Sequence, residues 1–409
     1  MKCRNCKKKL KNDLIDLGFS PVANRLISSQ NLFNYEKHYP LKVFICNSCW
    51  FGQTYDLIPP EEIFEDDYPY FSSMSSFYLD HAKKFVDRIK KKLMLNKKSF
   101  VIEIASNDGY LLKNFKKYNI KNLGIEPTKS TAGVSKKHKI KTIQKFFSFK
   151  LSQKIKKKSM ADLIVANNVF AHVPNIHDFM KGMKNLLKKN GTITIEVQHL
   201  LNIIKYNQFD TIYHEHFSYY TVFSFNKIAK NFNLKVWDVE KIPTHGGSIR
   251  IYLTHMNNKI QISKNVTKII NEEKNFGLFN IKKYKLFQIN SGKIKNNFLT
   301  FLIDMKNKNK VVYGYGAAAK GNTFINYAGI KNDMLKYVFD AAKSKAGKSL
   351  PGSHIPILHM NKLKNKVPDY LIIFPWNIKN EIINNFKHLK TKQGNKIKFV
   401  TFVPSLKIN

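Results

Sequence analysis

All four cysteines of this chain stand within its first fifty residues, as Cys3-x-x-Cys6 and Cys46-x-x-Cys49. Two residues between thiols let both sulfurs reach one ion from a tight turn, so two such pairs offer the tetrahedral thiolate set of a zinc site. The long stretch between the pairs exceeds the commonest zinc-ribbon spacing, and it can loop out while the ligands converge. The competing reading is four free buried or redox thiols. Residues 1–68 are therefore expected to form a small zinc-binding domain in which Cys3, Cys6, Cys46 and Cys49 hold a structural Zn2+.

The remainder is too long for one compact unit, since domains average roughly 100–200 residues and the chain has 409. Hydrophobic residues make up 43%, enough for real cores, and this excludes wholesale disorder. No apolar run reaches the roughly 18 residues a membrane span needs, and Met1-Lys-Cys-Arg-Asn-Cys-Lys7 lacks the apolar region of a signal peptide. A cytoplasmic protein without a membrane partner is expected. The formal net charge is +42, from 70 Lys+Arg against 28 Asp+Glu. Such a surplus invites a nucleic-acid reading, but it runs from Lys2 to Lys407 among many Asn and Ile instead of clustering on one face or arm. No nucleic-acid partner is expected, although a basic field favours a phosphorylated substrate.

Helical periodicity over Ser75–Leu95, with Phe77, Tyr78, His81, Phe85 and Ile89 recurring at three and four, marks a connecting helix. Short apolar strands then alternate with amphipathic stretches. Phe100–Ala105, Leu123–Glu126, Leu163–Ala166 and Thr192–Val197 read as strands, and Tyr110–Tyr118 and Asn175–Lys188 as helices. That alternation predicts a parallel sheet with helices on both faces. Val236–Ile242 and Ser248–Thr254, with Gly246 and Gly247 between them, read as an antiparallel hairpin finishing the sheet. The division expected is a central α/β domain over 69–255, a Lys- and Asn-rich helical connector over 256–309, and a smaller α/β domain over 310–409. In the last, strands are expected at Val311–Tyr315, Tyr337–Asp340, Tyr370–Phe374 and Lys398–Val403.

The chemistry-bearing residues fall in the loops after these strands. The first strand carries Glu103 and ends in Ala105-Ser-Asn107-Asp-Gly109, and the second ends in Gly124-Ile-Glu126-Pro127. In doubly wound folds such loops face the ligand crevice. An acid there can hold both hydroxyls of a ribose, while a turn with so few glycines is poorly suited to a pyrophosphate. An adenosyl ligand without a pyrophosphate fits; a Glu126 that merely caps the next helix is the alternative. Asn167 and Asn168 open Asn-Asn-Val-Phe-Ala-His172-Val-Pro at the same crevice. Tyr213-His-Glu215-His216-Phe-Ser-Tyr-Tyr220 gathers imidazoles, a carboxylate and phenols. Metal binding competes for His214, Glu215 and His216, but no third ligand is evident and the helical His-Glu-x-x-His spacing is missing, so base chemistry suits the run better. In Thr244-His-Gly-Gly-Ser-Ile-Arg250 the glycines allow close backbone approach to a ligand and Arg250 is available for an anion; an ordinary hairpin turn explains the motif equally well. Gly314-Tyr-Gly316-Ala-Ala-Ala319, followed by Asp340, fits the dinucleotide pattern G-x-G-x-x-A and opens the reading of a nicotinamide-dependent oxidoreductase.

Taken in order, Tyr68-Pro-Tyr70-Phe-Ser-Ser, Ile104-Ala-Ser-Asn-Asp-Gly-Tyr110, Gly124-Ile-Glu-Pro-Thr128, the Asn167–Pro174 and Tyr213–Tyr219 runs, His245–Arg250 and Tyr315-Gly-Ala-Ala-Ala-Lys320-Gly-Asn322 resemble the S-adenosylmethionine-dependent sugar C-methyltransferases of deoxysugar pathways. The resemblance covers nearly the whole chain. It implies a zinc-binding N-terminal domain, a central class I methyltransferase domain and a C-terminal Rossmann-like domain, with a nucleotide-diphosphate 4-keto sugar as substrate. It further implies His216 as the base, with Tyr213, Glu215, His172 and Tyr70 around the reacting sugar, and Lys320 and Asn322 near the diphosphate. S-adenosylmethionine is expected on Glu103, Ala105, Asn107, Gly109, Glu126, Pro127, Asn167 and Asn168. An RNA methyltransferase, supported by charge alone, is the remaining alternative.

Overall fold

The computed structural model describes residues 1–55, 57–64, 71–391 and 393–409. The central sheet has seven strands, in the spatial order Thr142–Ile143, Lys121–Ile125, Phe100–Ile104, Ala161–Asn167, Leu187–Gln198, Ser248–His255 and Leu234–Ile242. The first five run parallel; Ser248–His255 is antiparallel to both its neighbours. Leu163, Ile164, Val165 and Ala166 are all buried because helices cover both faces, which is why this central strand reads as an apolar run instead of alternating. Connections leave Phe100–Ile104 and Ala161–Asn167 toward opposite edges of the sheet. The loops after Ile104 and Asn167 therefore diverge and open a crevice at the carboxyl ends of the strands.

The long helix over the sheet, Ser76–Lys92, begins where Ser75 accepts from the Tyr78 amide and ends in Lys90, Lys91 and Lys92, a basic last turn that complements the helix dipole. The expected helix over 110–118 is shorter, Leu112–Lys117, because Gly109 adopts a left-handed φ of +78° and the chain turns there before it coils. The connector consists of two helices, Lys264–Phe276 and Ile281–Asn307, with Gly277 in the left-handed conformation between them.

At the N-terminus, Asn12–Ser20, Tyr39–Ile45 and Gly52–Thr54 form an antiparallel sheet whose fourth strand, Ser218–Tyr219, is lent by the central segment. A Cβ at position 52 would stand 3.0 Å from the Tyr219 Cβ, so glycine is what lets this foreign strand dock. The C-terminal sheet orders Ile357–His359, Val338–Asp340, Val312–Tyr315, Tyr370–Ile373, Lys398–Thr401 and Lys407–Ile408, parallel except for the last. One continuous core joins Leu14 and Ile45 of the N-terminal sheet, Phe298 of the long connector helix, and Phe324 and Phe402 of the C-terminal unit. Phe324 and Phe402 stack with centroids 3.9 Å apart. Among the described residues no helix is long and apolar enough to cross a membrane.

Candidate active site

The four thiols converge as their spacing predicts. Cys3 and Cys49 sulfurs lie 3.6 Å apart, Cys6 and Cys46 sulfurs 3.5 Å, and all four fall within 4.8 Å of one another. Tetrahedral Zn–S bonds of about 2.3 Å place sulfurs roughly 3.8 Å apart, so the cluster has the size of a zinc tetrathiolate. It is far too open for disulfides, whose S–S bond is about 2.05 Å. Each pair sits in a knuckle closed by the backbone: Lys7 N–H donates to Cys3 O at 2.9 Å and Trp50 N–H to Cys46 O at 2.8 Å. Lys7 and Trp50 both take left-handed φ values, 63° and 53°, as that turn requires.

A cavity of about 580 Å³ lies outside the carboxyl ends of the central strands and is walled by all three units: Asn24 and Phe64 from the first, Glu126 and His216 from the second, Lys320 and Asn377 from the third. On its central side the loop Ala105–Asn107 is backbone-strained, with φ of 57° at Ala105 and 49° at Asn107, and Asn168 opposite has φ of 53°. Strain of this kind persists where surrounding contacts over-determine it, and it gathers at ligand sites. Asn107 N–H donates to Glu126 Oε2 at 2.9 Å, and Thr128 Oγ donates to Oε1 at 2.7 Å. The Glu126 carboxylate is thus fixed at the end of its strand with lone pairs to spare. Burial, and then the Asp108 and Glu126 carboxylates, push Glu103 well above the usual carboxylate range. Glu103 Oε2, Ser106 Oγ and Asn167 Oδ1 are buried and find no hydrogen-bond partner. Buried polar atoms are ordinarily satisfied; of these three residues Asn167 lines the cavity, where its free Oδ1 fits a ligand donor such as the ammonium or a hydroxyl of S-adenosylmethionine, whereas Glu103 and Ser106 stand behind the wall. Gly109 and Pro127 shape the same loops; Pro127 lines the cavity, whereas Gly109 packs away from it, its missing Cβ leaving room for Ser135.

Across the cavity stand the histidines. His216 Nδ1 lies 2.8 Å from Thr211 O, and His172 Nδ1 lies 2.8 Å from Glu215 O. A carbonyl only accepts, so each Nδ1 carries the proton and each Nε2 keeps its lone pair. Burial, reinforced by His172, holds His216 well below the ordinary imidazole range, and burial lowers His172 to about 4. The two rings are 4.8 Å apart, and the Tyr213 ring packs 4.0 Å from His216. Both imidazoles are therefore neutral near pH 7. Glu215 Oε1 accepts from Asn24 Nδ2 at 2.7 Å, and it is the Thr211 carbonyl that sets the tautomer of His216. Tyr70 lies outside the described residues.

Lys320 also lines the cavity, its ammonium 4.5 Å above the Trp376 ring and 3.4 Å from Asn377 Oδ1. Burial lowers its pKa, opposed by Asp210. Asn322 lies two residues further along helix Ala319–Ala328 and so on nearly the opposite face, enclosed, with both amide atoms unpartnered, and it does not reach the cavity wall.

Arg250 departs from the expectation. It has no exposed surface and lies within the sheet, donating to Glu196 Oε2 at 2.8 Å with its guanidinium 4.3 Å over the Phe85 ring. Its neighbour across the register is Glu196 itself, so the charge is spent on a buried pair instead of an anion. The glycines likewise serve the protein: a Cβ at Gly246 would meet the Trp376 ring at 2.4 Å and one at Gly247 the Asn202 amide at 2.3 Å. Three wall residues with polar or charged side chains, His245, Asn24 and Lys345, were given no role by the sequence reading. His245, held at Nε2 by the Tyr78 hydroxyl at 2.7 Å, sits inside a motif already singled out. Asn24 and Lys345 carry no local signal.

Comparison with known proteins agrees with this geometry. Residues 243–404 match the C-methyltransferase C-terminal domain, residues 3–64 a zinc binding domain and residues 77–239 a methyltransferase domain. The chain is 30% identical over 407 residues to the C-methyltransferase NovU of Streptomyces niveus, covering 99% of this chain and 96% of that one. Similar solved structures include a SAM-dependent methyltransferase from Anabaena variabilis, 14% identical over 43% of this chain and 84% of that one, with a TM-score of 0.36. Another is magnesium protoporphyrin IX methyltransferase from Synechocystis with bound SAM, 11% identical over 48% and 88%, TM-score 0.34. With a tetrathiolate cluster, a methyltransferase sheet and a relative matched from end to end, the chain belongs to the S-adenosylmethionine-dependent C-methyltransferases.

Proposed function

We propose that the protein methylates a carbon next to the ketone of a nucleotide-linked 4-keto sugar, with His216 as the base. The observation that carries this reading is the tautomer of His216: the Thr211 carbonyl leaves Nε2 as a neutral lone-pair nitrogen on a residue of the cavity wall. Carbon attached only to carbon and hydrogen is no nucleophile until a proton leaves. His216 Nε2 takes the proton α to the ketone, and the C–H electron pair passes into the carbonyl to give an enolate. Tyr213, with its ring against His216, is placed to donate its phenolic proton to the developing oxyanion. When bound, S-adenosylmethionine would supply an electrophilic methyl group, the new C–C bond forming from the enolate's electron pair as the methyl–sulfur bond breaks and its pair stays on sulfur in S-adenosylhomocysteine. Glu126 holds the ribose hydroxyls, while Ala105, Asn107, Asn167 and Asn168 enclose the amino-acid end, with Glu103 behind them. His216 gains from its low pKa in one respect and loses in another. The free base is fully present at pH 7, yet the imidazolium is costly until the enolate's negative charge stands beside it. Protonation and enolate formation are thereby coupled.

The nucleotide is assigned to the 310–409 unit. Lys320 and the amides at the start of helix Ala319–Ala328 offer an anion site, with Asn322 two residues behind and off the cavity wall. Lys345 lines the same wall. Asp340 spends its carboxylate on Ala317 N–H and Ala342 N–H, both at 2.8 Å, with Lys345 at 3.4 Å. What supports a phosphate-bearing substrate over a nicotinamide cofactor is the pair of cations, Lys320 and Lys345, on this wall of the cavity, together with the match of residues 243–404 to a C-methyltransferase C-terminal domain.

The test is hydrogen exchange at the substrate. Incubated in deuterated water with a nucleotide 4-keto sugar and S-adenosylhomocysteine, the wild type should exchange the α-hydrogen, and His216→Ala should be slower by about 10²–10⁴-fold. A variant exchanging at the wild-type rate would transfer the role to another residue, with His172 next. In the presence of methyl donor the product gains one CH2 by mass.

A further inference from the structure

Arg4 stands between the first pair of thiols, yet its side chain points away from them. It is buried, and its guanidinium bridges the N-terminal sheet and the central segment: Nη1 donates to the Phe217 carbonyl, Nη2 to Thr54 O at 2.9 Å, and Ser218 Oγ lies 3.5 Å from Nη1. The cation also sits 5.7 Å from the centre of the Phe217 ring. Phe217 follows His216 directly, and its carbonyl accepts a second bond from Thr54 N–H at 3.1 Å. The backbone of Arg4 is itself pinned, donating to Gln53 Oε1 at 2.7 Å. Both zinc knuckles thus converge on one peptide. The first supplies Arg4; the second, through Cys46 and Cys49, closes the hairpin that ends in Thr54 and pairs Gln53 with Ser218.

We propose that Arg4 is a positioning residue for methyl transfer: anchored in the zinc knuckle, its guanidinium fixes the Phe217 carbonyl and so sets where the His216 imidazole stands. The thiolate cluster then does more than fold its own domain. His216 is held at two points, by Thr211 O on its ring and by Arg4 through the next peptide, and a group fixed by fork-shaped donors to two carbonyls has little freedom to rotate. Loss of Arg4 leaves the Phe217 carbonyl with the Thr54 N–H alone, and the peptide after His216 gains freedom to shift. This inference rests on His216 acting in the reaction, but the placement of the peptide is measurable without any sugar.

The experiment compares Arg4→Met and Arg4→Lys with wild type in the full-length, zinc-loaded protein. Zinc content is read by elemental analysis and S-adenosylhomocysteine affinity by calorimetry. Amide hydrogen exchange is followed by mass spectrometry over 213–220 and, as control, over Ala161–Asn167. Arg4→Met should keep its zinc and its affinity, and raise exchange over 213–220 by about tenfold or more with the control unchanged. It should lower kcat by roughly 10- to 100-fold with little change in KM, the signature of a displaced reacting group. Arg4→Lys, with one donor for two carbonyls, should recover part of the protection. Unchanged exchange over 213–220 in zinc-loaded Arg4→Met overturns the proposal. So does an equal rise in the control strand, or loss of zinc from both variants, because Arg4 would then serve only the scaffold. If the sugar assignment is wrong, wild-type turnover is missing as well, while the exchange result stands.

Discussion

The buried pair of Arg250 and Glu196 offers a sharp test of why an arginine in a ligand-like motif does not bind a ligand. Glu196 has no exposed surface; burial alone would raise its pKa, but the hydrogen bond from His81, the charge of Arg250 and the Thr244 hydroxyl outweigh it and lower the value to about 2. Against an ordinary 4.5, and at about 1.36 kcal/mol per unit, the folded state gains on the order of 3 kcal/mol from keeping this carboxylate ionised. The sign follows from the depressed value: this stability is present above pH 4.5 and is lost as pH falls toward 2. Arg250→Met keeps most of the volume over Phe85 and deletes the cation, and breaking one side of such a pair costs roughly 3–5 kcal/mol. In a unit of this size the thermal midpoint should drop by roughly 6–20 °C at pH 7.5. With Arg250 gone, Glu196 keeps only His81 and the Thr244 hydroxyl against its burial, so its pKa rises, the carboxyl takes up a proton more readily and the deficit should narrow by pH 5. Calorimetric melting at both pH values measures this. A wild-type midpoint at pH 7.5 combined with weakened nucleotide binding would refute the reasoning and return Arg250 to the substrate.

Cys46→Ser should abolish zinc binding, with wild type at about one zinc per chain by elemental analysis, because three thiolates and a hydroxyl make a poor tetrahedral set. Retention of full zinc by the variant would mean that the metal sits elsewhere. Glu126→Ala should weaken S-adenosylhomocysteine by about 1.5–3 kcal/mol, the worth of charge-assisted hydrogen bonds to two hydroxyls, read by calorimetry; an unchanged affinity contradicts the ribose assignment. Burial lowers His172, His214 and His245 to about 4 from 6.5, so between those values the unfolded chain binds more protons and stability should fall as pH drops. His214→Gln should flatten that slope in urea titrations at pH 6.5 and 4.5, and an unaltered slope would show that the lost stability comes from other groups.

Features set by chemistry along a short stretch of chain were legible without a structure. The thiol pairs meet because two residues between ligands fix a knuckle, whatever the length of the loop between knuckles. A parallel strand announces itself where burial on both faces demands an unbroken apolar run, as in Leu163–Ala166. Glu126 could be placed at the crevice because a strand's end determines which side of the sheet its loop faces. Arg250 and the glycines were another matter. A motif records that a guanidinium and two bare backbone positions are wanted, and only packing shows that Glu196, Trp376 and Asn202 want them. The same holds for Asn24 and Lys345, which reach the cavity from distant parts of the chain, and for Arg4, which reaches the peptide after His216. Local propensity and spacing act over a few residues, and they determined the elements and the ligand pairs. Which side chains finally face one another depends on three sheets sharing one core, and that was decided by long-range burial, to which no short window of sequence has access.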